Sequence, residues 1–569
     1  MSERLKVLIV GGYGTFGGRI VQLLEDEPRL TLIVAGRSIE KARRFCERRG
    51  RVAAELTAAA FDRDGDLAAQ LAGLGPNLLV DASGPFQSYG ERPYRLIEAC
   101  IDQGVDYLDL ADGSDFVAGV SAFDAAAGAA GRYALSGVSS FPVLTAAVVR
   151  RLAIGMARVD AITGGIAPSP FAGVGANVIR AIAGYAGRGV MVWRDGKAAI
   201  GHPFTEQRRF TIAPPGRLPL RSTMFSLVDV PDLRALAELW PDARSVWMGA
   251  GPVPEALHRA LFAFAWLVRL RLVPTLSPLA PAMGFATDHL RWGEHRGGMF
   301  VEVEGLDGAG AATRRAWHLL AEGDDGPLIP SMAVAAIVRN ALDGRRPGAG
   351  ARAAVRELEL EDYERIFAGR TIYAGVRTEP VPADAPLYAR TLGDAWAELP
   401  SQIRAMHDPG RLLGASGRAS VERGTNPLAA LTGVMMRFPR AAADTALTVR
   451  FDVSDGVETW TRTFGADRFA SRQLAGRGRS SRLLCERFGP LSFAMALVWN
   501  GARLTLAMRR WTFFGVALPM WLCPRSQAHE SVEDGRFAFD VAISHPLMGL
   551  IVHYKGWLEP DGSRAGGDL

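Results

Sequence analysis

Apolar runs alternate with segments of helical spacing over the first 150 residues, and this pattern predicts repeated βα units. The run Lys6–Val10 is aliphatic at successive positions, as expected of a strand buried on both faces of a sheet. A glycine-rich turn and a helical pattern ending near Pro28 follow it. Further strands are predicted at Leu30–Val34, Leu56–Phe61, Leu78–Val80, Tyr107–Leu110 and Tyr133–Ser136. The expected fold of residues 1–150 is therefore α/β, with a parallel, doubly wound sheet.

Alternating and helical patterns also mark the middle of the chain. Apolar and polar positions alternate over Val301–Glu304 and again over Thr313–Trp317, which predicts a hairpin with one solvent-exposed face. Met332–Leu342 has helical spacing and stops just before Gly344. Three prolines, Pro380, Pro382 and Pro386, indicate a linker over residues 368–385.

Strand patterns dominate the last third of the chain. Asp455-Gly456 and Asn500-Gly501 are strong hairpin signals between neighbouring strand patterns. Strands are predicted at Leu447–Val453, Glu458–Phe464, Arg503–Arg510 and Phe537–Ile543, after an amphipathic helical stretch over Leu387–His407. We expect residues 386–560 to form a β-rich domain, a curved antiparallel sheet around an apolar cavity, and residues 561–569 to form a disordered tail.

The turn after the first strand carries the most specific motif of the sequence. Gly12, Gly14 and Gly17 fit the pattern G-x-G-x-x-G between a predicted strand and helix, the context that a dinucleotide-binding Rossmann fold requires. We expect Gly12 to permit the tight turn, Gly14 to let a pyrophosphate approach, and Gly17 to let the helix pack closely. Thr15 and Phe16 open that helix, whose free N–H groups attract phosphate.

Residues at the ends of later strands predict the remaining cofactor contacts. Arg37 lies about twenty residues beyond the glycines, where an acidic residue would favour NAD and a cation favours the 2′-phosphate of NADP. The sequence therefore predicts NADP(H) rather than NAD(H). The other predicted contacts are Ser38 and Lys41 for the phosphate, Asp62 for the adenine, and Ser83, Gly84 and Pro85 for the nicotinamide end.

Composition and charge exclude several classes of protein. Apolar residues make up 48% and charged residues 22% of the 569-residue chain, which excludes a disordered or fibrous chain. The net charge is only +5, and the basic residues, mostly arginine, are dispersed, so no nucleic-acid partner is expected. The four cysteines show no C-x-x-C spacing, so they indicate neither a zinc site nor a disulfide framework. We expect a cytoplasmic location.

The segment Ala260–Val268 admits two interpretations. Its nine residues are apolar all round and are flanked by Arg259, Arg269 and Arg271. One interpretation is a buried helix; the other is an interfacial helix that touches a bilayer peripherally or caps a lipid substrate. The run is too short for a spanning helix, which needs about twenty residues.

Residues 5–365 resemble the saccharopine dehydrogenase-like NADP-binding family. The resemblance is carried by Gly12–Gly17, Ala35–Ser38, Ser83–Phe86 with Tyr89–Glu91, Tyr107–Leu110 and Ser136–Pro142. It implies a central substrate domain with a mixed sheet, an α+β unit, over residues 151–367. Residues 386–560 resemble a domain of unknown function that is often fused behind this family, through pieces such as Trp460–Gly465 and His545–Trp557.

The resemblance also implies the chemistry. Asp112 and Asp115 stand near the position of a family carboxylate, and Ser139 replaces an aspartate of the family. His295, in the turn Trp292–Gly298, adds a base beside Glu294; a solvated hairpin entry is the alternative reading of that turn. Our candidate catalytic residues are therefore Asp112, Ser139 and His295.

Two functions follow from these predictions. The first is an NADP-dependent oxidoreductase that transfers hydride to or from a carbonyl, imine or enoyl group of a small or lipid-like substrate. The alternative is a non-catalytic NADP-binding scaffold or sensor, with a C-terminal module that binds a lipid or a partner. Both hypotheses are compatible with a homodimer.

Overall fold

A seven-stranded parallel sheet forms the first layer of the fold. In the computed structural model, which describes residues 4–86, 89–173, 175–382, 384–410, 412 and 414–562, its strand order is β15-β6-β5-β4-β1-β2-β3. Its strands are β1 (Leu5–Val10), β2 (Leu30–Gly36), β3 (Glu55–Ala60), β4 (Leu78–Asp81), β5 (Asp106–Asp109), β6 (Tyr133–Ser136) and β15 (Gly350–Ala353). The first six follow the Rossmann order, which confirms the predicted doubly wound sheet.

The helices of this part lie between the strands, as the alternating pattern predicts. They are α1 (Thr15–Leu24), α2 (Ile39–Arg49), α3 (Leu67–Leu74), α4 (Arg95–Asp102), α5 (Ser114–Gly119), α6 (Asp124–Ala129) and α7 (Thr145–Ala153). β2 is buried at every position, which explains its apolar sequence. Strand β15 pairs in parallel with β6, so a segment beyond residue 150 completes the first sheet.

A nine-stranded mixed sheet forms the central part of the fold, as expected. Its order is β10-β11-β12-β7-β13-β14-β16, with β8 and β9 attached to β12. The strands are β7 (Met156–Ala167), β8 (Val190–Arg194), β9 (Lys197–Gly201), β10 (Gln207–Phe210), β11 (Thr223–Leu227), β12 (Ser245–Ala250), β13 (Arg296–Asp307), β14 (Ala312–Glu322) and β16 (Ile372–Glu379). β13 and β14 form the predicted hairpin, in which Val301 faces Trp317.

Six helices accompany this sheet within the described residues. They are α8 (Ala176–Tyr185), α9 (Asp232–Leu239), α10 (Glu255–Arg269), α11 (Ala280–His289), α12 (Ile329–Leu342) and α13 (Leu360–Phe367). α12 is the helix that the spacing of Met332–Leu342 predicts, and it is buried along most of its length.

An antiparallel barrel forms the C-terminal part, which confirms the predicted curved sheet. Its strands are β17 (Gly414–Arg423), β18 (Ala442–Ser454), β19 (Val457–Phe464), β20 (Asp467–Ala475), β21 (Leu484–Phe488), β22 (Leu491–Trp499), β23 (Leu504–Phe513), β24 (Val516–Ala517), β25 (Arg525–Glu533), β26 (Arg536–His545) and β27 (Gly549–Pro560). Neighbouring strands pair in chain order except at β24, and β17 pairs with β27, so ten strands close the barrel. The short strand β24 pairs only with β23. Helices α14 (Leu387–Leu392), α15 (Ser401–Met406) and α16 (Pro427–Met435) accompany it.

The chain divides into two units. The first comprises residues 1–209 and 223–373, and the second comprises 210–222 and 374–569. The segment 368–385, predicted to be a linker, contains strand β16 through Glu379, because its prolines begin only after the strand. Of the predicted tail, residues 563–569 lie outside the described residues.

Helix α10 is not the buried helix that one interpretation of Ala260–Val268 predicts. Ala265 and Val268 are buried, but Phe264 is 45% and Leu267 is 36% exposed. The close approach of Gly187 to the carbonyl of Ala265 explains which face is covered. No helix in the described part of the chain is long and apolar enough to span a bilayer. The peripheral contact stays a prediction.

A buried histidine of α10 makes stability depend on pH. His258 is 1% exposed, its Nε2 lies 2.7 Å from Ser226 Oγ, and burial lowers the pKa of His258 to about 4. The unfolded chain has an ordinary histidine pKa near 6.5, so the neutral native form loses stability as the pH falls from about 6.5 to 4.

We predict that this loss amounts to at most about 3 kcal/mol and disappears in His258→Gln, which cannot be protonated. The measurement is urea unfolding of both proteins at several pH values. The difference between their unfolding free energies should change by that amount between pH 7 and 4; a constant difference contradicts the prediction.

Candidate functional site

The glycine turn between β1 and α1 packs so closely that side chains would not fit at several of its positions. Gly11 takes the left-handed conformation, with φ +77°, so the tight turn depends on Gly11 rather than on Gly12. Gly12 is needed for space, because a Cβ there would lie 2.8 Å from Ile9 O and 3.0 Å from Val34 Cγ1. A Cβ on Gly17 would overlap Gly11 O, so α1 packs directly on the turn.

The start of α1 leaves hydrogen-bond donors for an anion. Gly14 is the N-cap residue and is exposed; a Cβ on it would meet only Gly11 O, at 3.0 Å. Thr15 and Phe16 are the first residues of α1, whose amides have no acceptor within the helix. These amides and the positive end of the helix dipole suit the two phosphates of a dinucleotide.

The turn after β2 places a cation beside this groove. Arg37 is exposed, and its guanidinium makes no hydrogen bond or ion pair with any residue that the structure describes. Ser38 caps α2: its Oγ accepts from Lys41 N at 3.3 Å and donates to Glu40 Oε2 at 3.0 Å. Tyr13 OH accepts from Ser38 N at 3.2 Å and so holds the two turns together.

The end of β3 carries Asp62, which is exposed. Its backbone amide donates to Gln70 Oε1 at 2.8 Å, and its carboxylate accepts from Asp64 N. The next residue, Arg63, stacks on the ring of Tyr89, 3.1 Å from the ring centre. This stack links the loop after β3 to the loop after β4.

The loop after β4 is held by a buried carboxylate. Asp81 is fully buried; its Oδ1 accepts from Ser83 N at 3.0 Å and Ser83 Oγ at 2.6 Å, and its Oδ2 accepts from Tyr89 OH at 3.0 Å. The Nδ2 of Asn177, at the start of α8, donates to Gly84 O at 3.0 Å. These hydrogen bonds fix the loop Ser83–Pro85 at the carboxyl end of β4, where a nicotinamide is expected. The sequence carries no signal for Asn177.

Asp109 aligns two loops that carry predicted catalytic residues. It is fully buried, and its Oδ1 accepts from Ala111 N, Ser136 Oγ and Gly137 N at 2.8–2.9 Å. Burial raises the pKa of Asp109 to about 7. Asp112 and Ser139 follow these anchored positions, in the loops after the neighbouring strands β5 and β6, and both are half-buried.

Asp112 belongs to a cluster that sequence reasoning found only in part. Ser114 Oγ donates to Asp229 Oδ1 at 2.5 Å. Burial raises the pKa of Asp229, and the charges of Asp115 and Asp112 raise it further. Burial, with Asp112 and Asp229, also raises the pKa of Tyr185 well above its ordinary value. Asp229 and Tyr185 come from elements far along the chain, which explains why the sequence did not indicate them.

His295 lies on the exposed start of β13 rather than among these buried groups. Its side chain is 47% exposed, and its Nε2 is 3.5 Å from Asp324, which is almost fully exposed. Its ring packs edge-on against Phe171, 5.1 Å away. The loop of Phe171 is tied to α1, because Arg19 donates to Ala172 O at 2.9 Å. These contacts of His295 favour the alternative interpretation of its turn, a solvent-exposed entry into the hairpin.

Family models match both ends of the chain. Residues 7–135 match the model described as saccharopine dehydrogenase NADP binding domain. The N-terminal region is therefore similar to the NADP-binding domain of saccharopine dehydrogenases. Residues 399–558 match a domain of unknown function, DUF4166, which covers the barrel. The NADP-binding domain supports a dehydrogenase-type oxidoreductase that uses a nicotinamide cofactor.

Solved structures are similar to parts of this chain at low sequence identity. Saccharopine dehydrogenase (L-Glu forming) from Saccharomyces cerevisiae is 14% identical, with a TM-score of 0.47 over 66% of this chain and 100% of its own. A probable dehydrogenase from Thermotoga maritima is 10% identical, with a TM-score of 0.31 over 64% of this chain and 93% of its own. The WlbA dehydrogenase from Thermus thermophilus, solved with NAD and alpha-ketoglutarate, is 12% identical, with a TM-score of 0.27 over 64% and 93%. No curated protein matches the chain.

The described residues contain no group of three or more metal-binding side chains arranged to hold a metal ion. The candidate site consists of the glycine turn, the loops after β2, β3 and β4, and the Asp112 cluster.

We predict that two glycine substitutions separate folding from cofactor binding. Gly17→Ala should lower the unfolding free energy by about 1–3 kcal/mol, because its methyl group overlaps Gly11 O. Gly14→Ala should cost less stability, because Gly14 is exposed and extended, but should weaken NADPH binding. Urea unfolding and calorimetry measure the two effects; equal loss of stability in both variants contradicts the prediction.

Proposed function

We propose that the protein is an NADP-dependent oxidoreductase, and that its first unit binds NADP(H) across the carboxyl ends of β1, β2 and β4. The main support for this proposal is the glycine turn. Its close packing leaves the first amides of α1 accessible to a diphosphate. The strand order supports this placement, because β1 lies between β2 and β4, at the point where the order reverses.

Arg37 supports NADP over NAD. Its exposed guanidinium lies in the loop after β2, the position that discriminates the ribose substituent in Rossmann folds. A guanidinium binds a phosphate by charge-assisted, bidentate hydrogen bonds. Glu40 lies in the same turn, and its bond to Ser38 keeps that hydroxyl occupied, so Arg37 carries most of the discrimination.

The Asp112 cluster supplies the proton chemistry of the proposed reaction. Reduction moves a hydride from the nicotinamide to the electrophilic carbon of a carbonyl, imine or enoyl group, and a proton to the atom that gains electrons. Asp229 has a raised pKa and a hydrogen bond to Ser114, so it holds a proton nearer to neutral pH than an ordinary carboxyl does. The raised pKa keeps the Tyr185 hydroxyl neutral, so it is able to donate a hydrogen bond to the substrate. The charge of Asp112 raises the pKa of both groups, and Ser139 lies in the loop after the neighbouring strand β6.

We predict that Arg37→Asp raises the Kd for NADPH by roughly 10- to 100-fold, the cost of a charge-assisted contact. The Kd for NADH should not rise, because NADH lacks the 2′-phosphate. Arg48→Asp, an exposed change at the far end of α2, is the matched control and should leave both affinities unchanged. Equal affinity of the wild type for NADPH and NADH overturns the preference.

We predict that Asp229→Asn lowers the rate of NADPH oxidation in single turnover by roughly 100-fold or more, through loss of the proton donor. NADPH affinity should stay the same, and Asp242→Asn, at an exposed loop, should have the wild-type rate. The assay follows NADPH absorbance with carbonyl, imine and enoyl substrates. Tight NADPH binding without oxidation by any of them favours the non-catalytic scaffold instead.

A further inference from the structure

The interior of the barrel holds a cavity that its own side chains do not fill. The cavity has an empty volume of about 1300 Å³, counted with its open mouth. Most of its lining is aromatic or aliphatic, and several inward side chains, such as Phe493, Met508 and Phe539, stay partly accessible. A barrel of ten strands is wider than the eight-stranded barrels that side chains can fill or that hold one small ligand. An apolar ligand would complete this core.

One wall of the cavity carries a buried polar cluster, formed by Arg462, Ser471, Gln473 and Glu486 on β19, β20 and β21. Arg462 Nη1 donates to Ser471 Oγ at 2.9 Å, and Ser471 donates to Glu486 Oε1 at 2.6 Å. Arg462 and Glu486 lie 3.5 Å apart, with side chains 16% and 13% exposed. Their opposite charges cancel, so the wall favours an uncharged ligand.

Gln473 in this cluster has an unused acceptor. Its Nε2 lies 3.4 Å from Glu486 Oε1, and its Oε1 is buried without a hydrogen-bond partner among the described residues. The residue is 2% exposed and lines the cavity. A buried acceptor without a partner is costly, so a ligand that brings a donor gains affinity there. A carboxylate would instead meet Glu486 and Glu530, the second of which is already bonded to His407 at 2.7 Å.

The two rims of the barrel differ in composition. The apolar rim consists of the loops 424–441, 465–466, 489–490, 514–524 and 546–548, which follow from the up-and-down strand order. These loops contain two arginines, Arg437 and Arg440, and no acidic residue. The opposite, polar rim consists of the loops 455–456, 476–483, 500–503, 534–535 and 561–562, with seven charged residues.

Exposed apolar side chains concentrate on the apolar rim. Of the ten large apolar side chains exposed among the described residues from 386 to 562, eight belong to it, and a ninth, Phe513, ends β23 directly before the loop 514–524. The nine are Leu428, Leu431, Val434, Met435, Phe513, Phe514, Val516, Trp521 and Leu547. The loop residues that line the cavity also come from this rim, namely Thr432, Met436, Phe438 and Pro524. Apolar and aromatic side chains with arginines and no acids suit the interface of a bilayer.

We propose that the DUF4166 barrel binds one uncharged lipid that ends in a hydroxyl group, and that it takes this lipid from a membrane surface through the apolar rim. The chain of the lipid fills the apolar cavity, and its hydroxyl donates to Gln473 Oε1. Helix α16 and the loop 514–524 lie in the bilayer interface during exchange. This inference is independent of the proposed oxidoreductase.

The first experiment tests the ligand. A bound neutral dye, phenylnaphthylamine, is displaced from the full chain by hexadecanol, by hexadecyl methyl ether and by hexadecanoate. Hexadecanol should act at about tenfold lower concentration than the ether, which cannot donate a hydrogen bond. Gln473→Leu and Gln473→Met should remove this advantage, whereas Gln527→Leu, on the exposed outer face of β25, should keep it.

Three outcomes overturn the ligand assignment. They are failure of every compound to displace the dye, tightest binding by hexadecanoate, and an advantage of hexadecanol that persists in a folded Gln473 variant. Circular dichroism of each variant establishes that the barrel is folded.

The second experiment tests the rim by flotation with vesicles of phosphatidylcholine and phosphatidylglycerol. The full chain should float with the vesicles, and Val434→Asp should reduce the bound fraction about fivefold or more, because an aspartate enters the bilayer interface at a high cost. Val453→Asp, in β18 next to the polar rim, is the matched control and should bind like the wild type. Phe285→Asp, on exposed helix α11, tests whether a different exposed apolar face is the one that contacts the vesicles. Absence of wild-type binding, or loss in Phe285→Asp alone, overturns the rim assignment.

Discussion

The contact of α1 with the glycine turn is the constraint on which the cofactor site depends. Without a Cβ on Gly17, the helix backbone lies directly on Gly11 and Gly12. This contact sets the direction of α1, so its unpaired first amides face the groove at the strand ends. The loops after β2 and β4 share the same edge, because parallel strands end on the same side of a sheet. The loops of Arg37 and Ser83 therefore lie at the same edge of the sheet.

Buried carboxylates then convert those loops into fixed surfaces. Asp81 and Asp109 are register partners at the ends of β4 and β5, and each accepts hydrogen bonds from the loop that follows. The bonds offset much of the cost of burying a carboxyl. The pKa of Asp109, about 7, shows that burial still outweighs its three hydrogen bonds. The loops of Asp112 and Ser139 are thus positioned by a group that need not touch substrate.

The barrel solves a different packing problem. Ten strands enclose more space than their inward side chains occupy, and a neutral polar cluster lies on an otherwise apolar wall. Because the strands run up and down, alternate loops gather at opposite ends. One end then collects apolar residues and the other collects charges, although the two kinds of loop alternate along the chain.

The sequence by itself determined the local features: the βα alternation, the glycine motif, the hairpin over Val301–Trp317 and the turn at Asp455-Gly456, where both residues have positive φ. These features depend on hydrophobic period and backbone sterics, which act within a few residues. Its motifs also indicated the cofactor domain that the family model matches.

Only the tertiary structure decided which distant residues meet. It brought Asn177 to Gly84 and Asp229 to Ser114, and it added β15 to the first sheet. It also left much of the apolar run Ala260–Val268 exposed, because burial depends on what packs against a helix and not on its own sequence. Contacts of this kind join segments that are far apart along the chain, so no local pattern of residues encodes them.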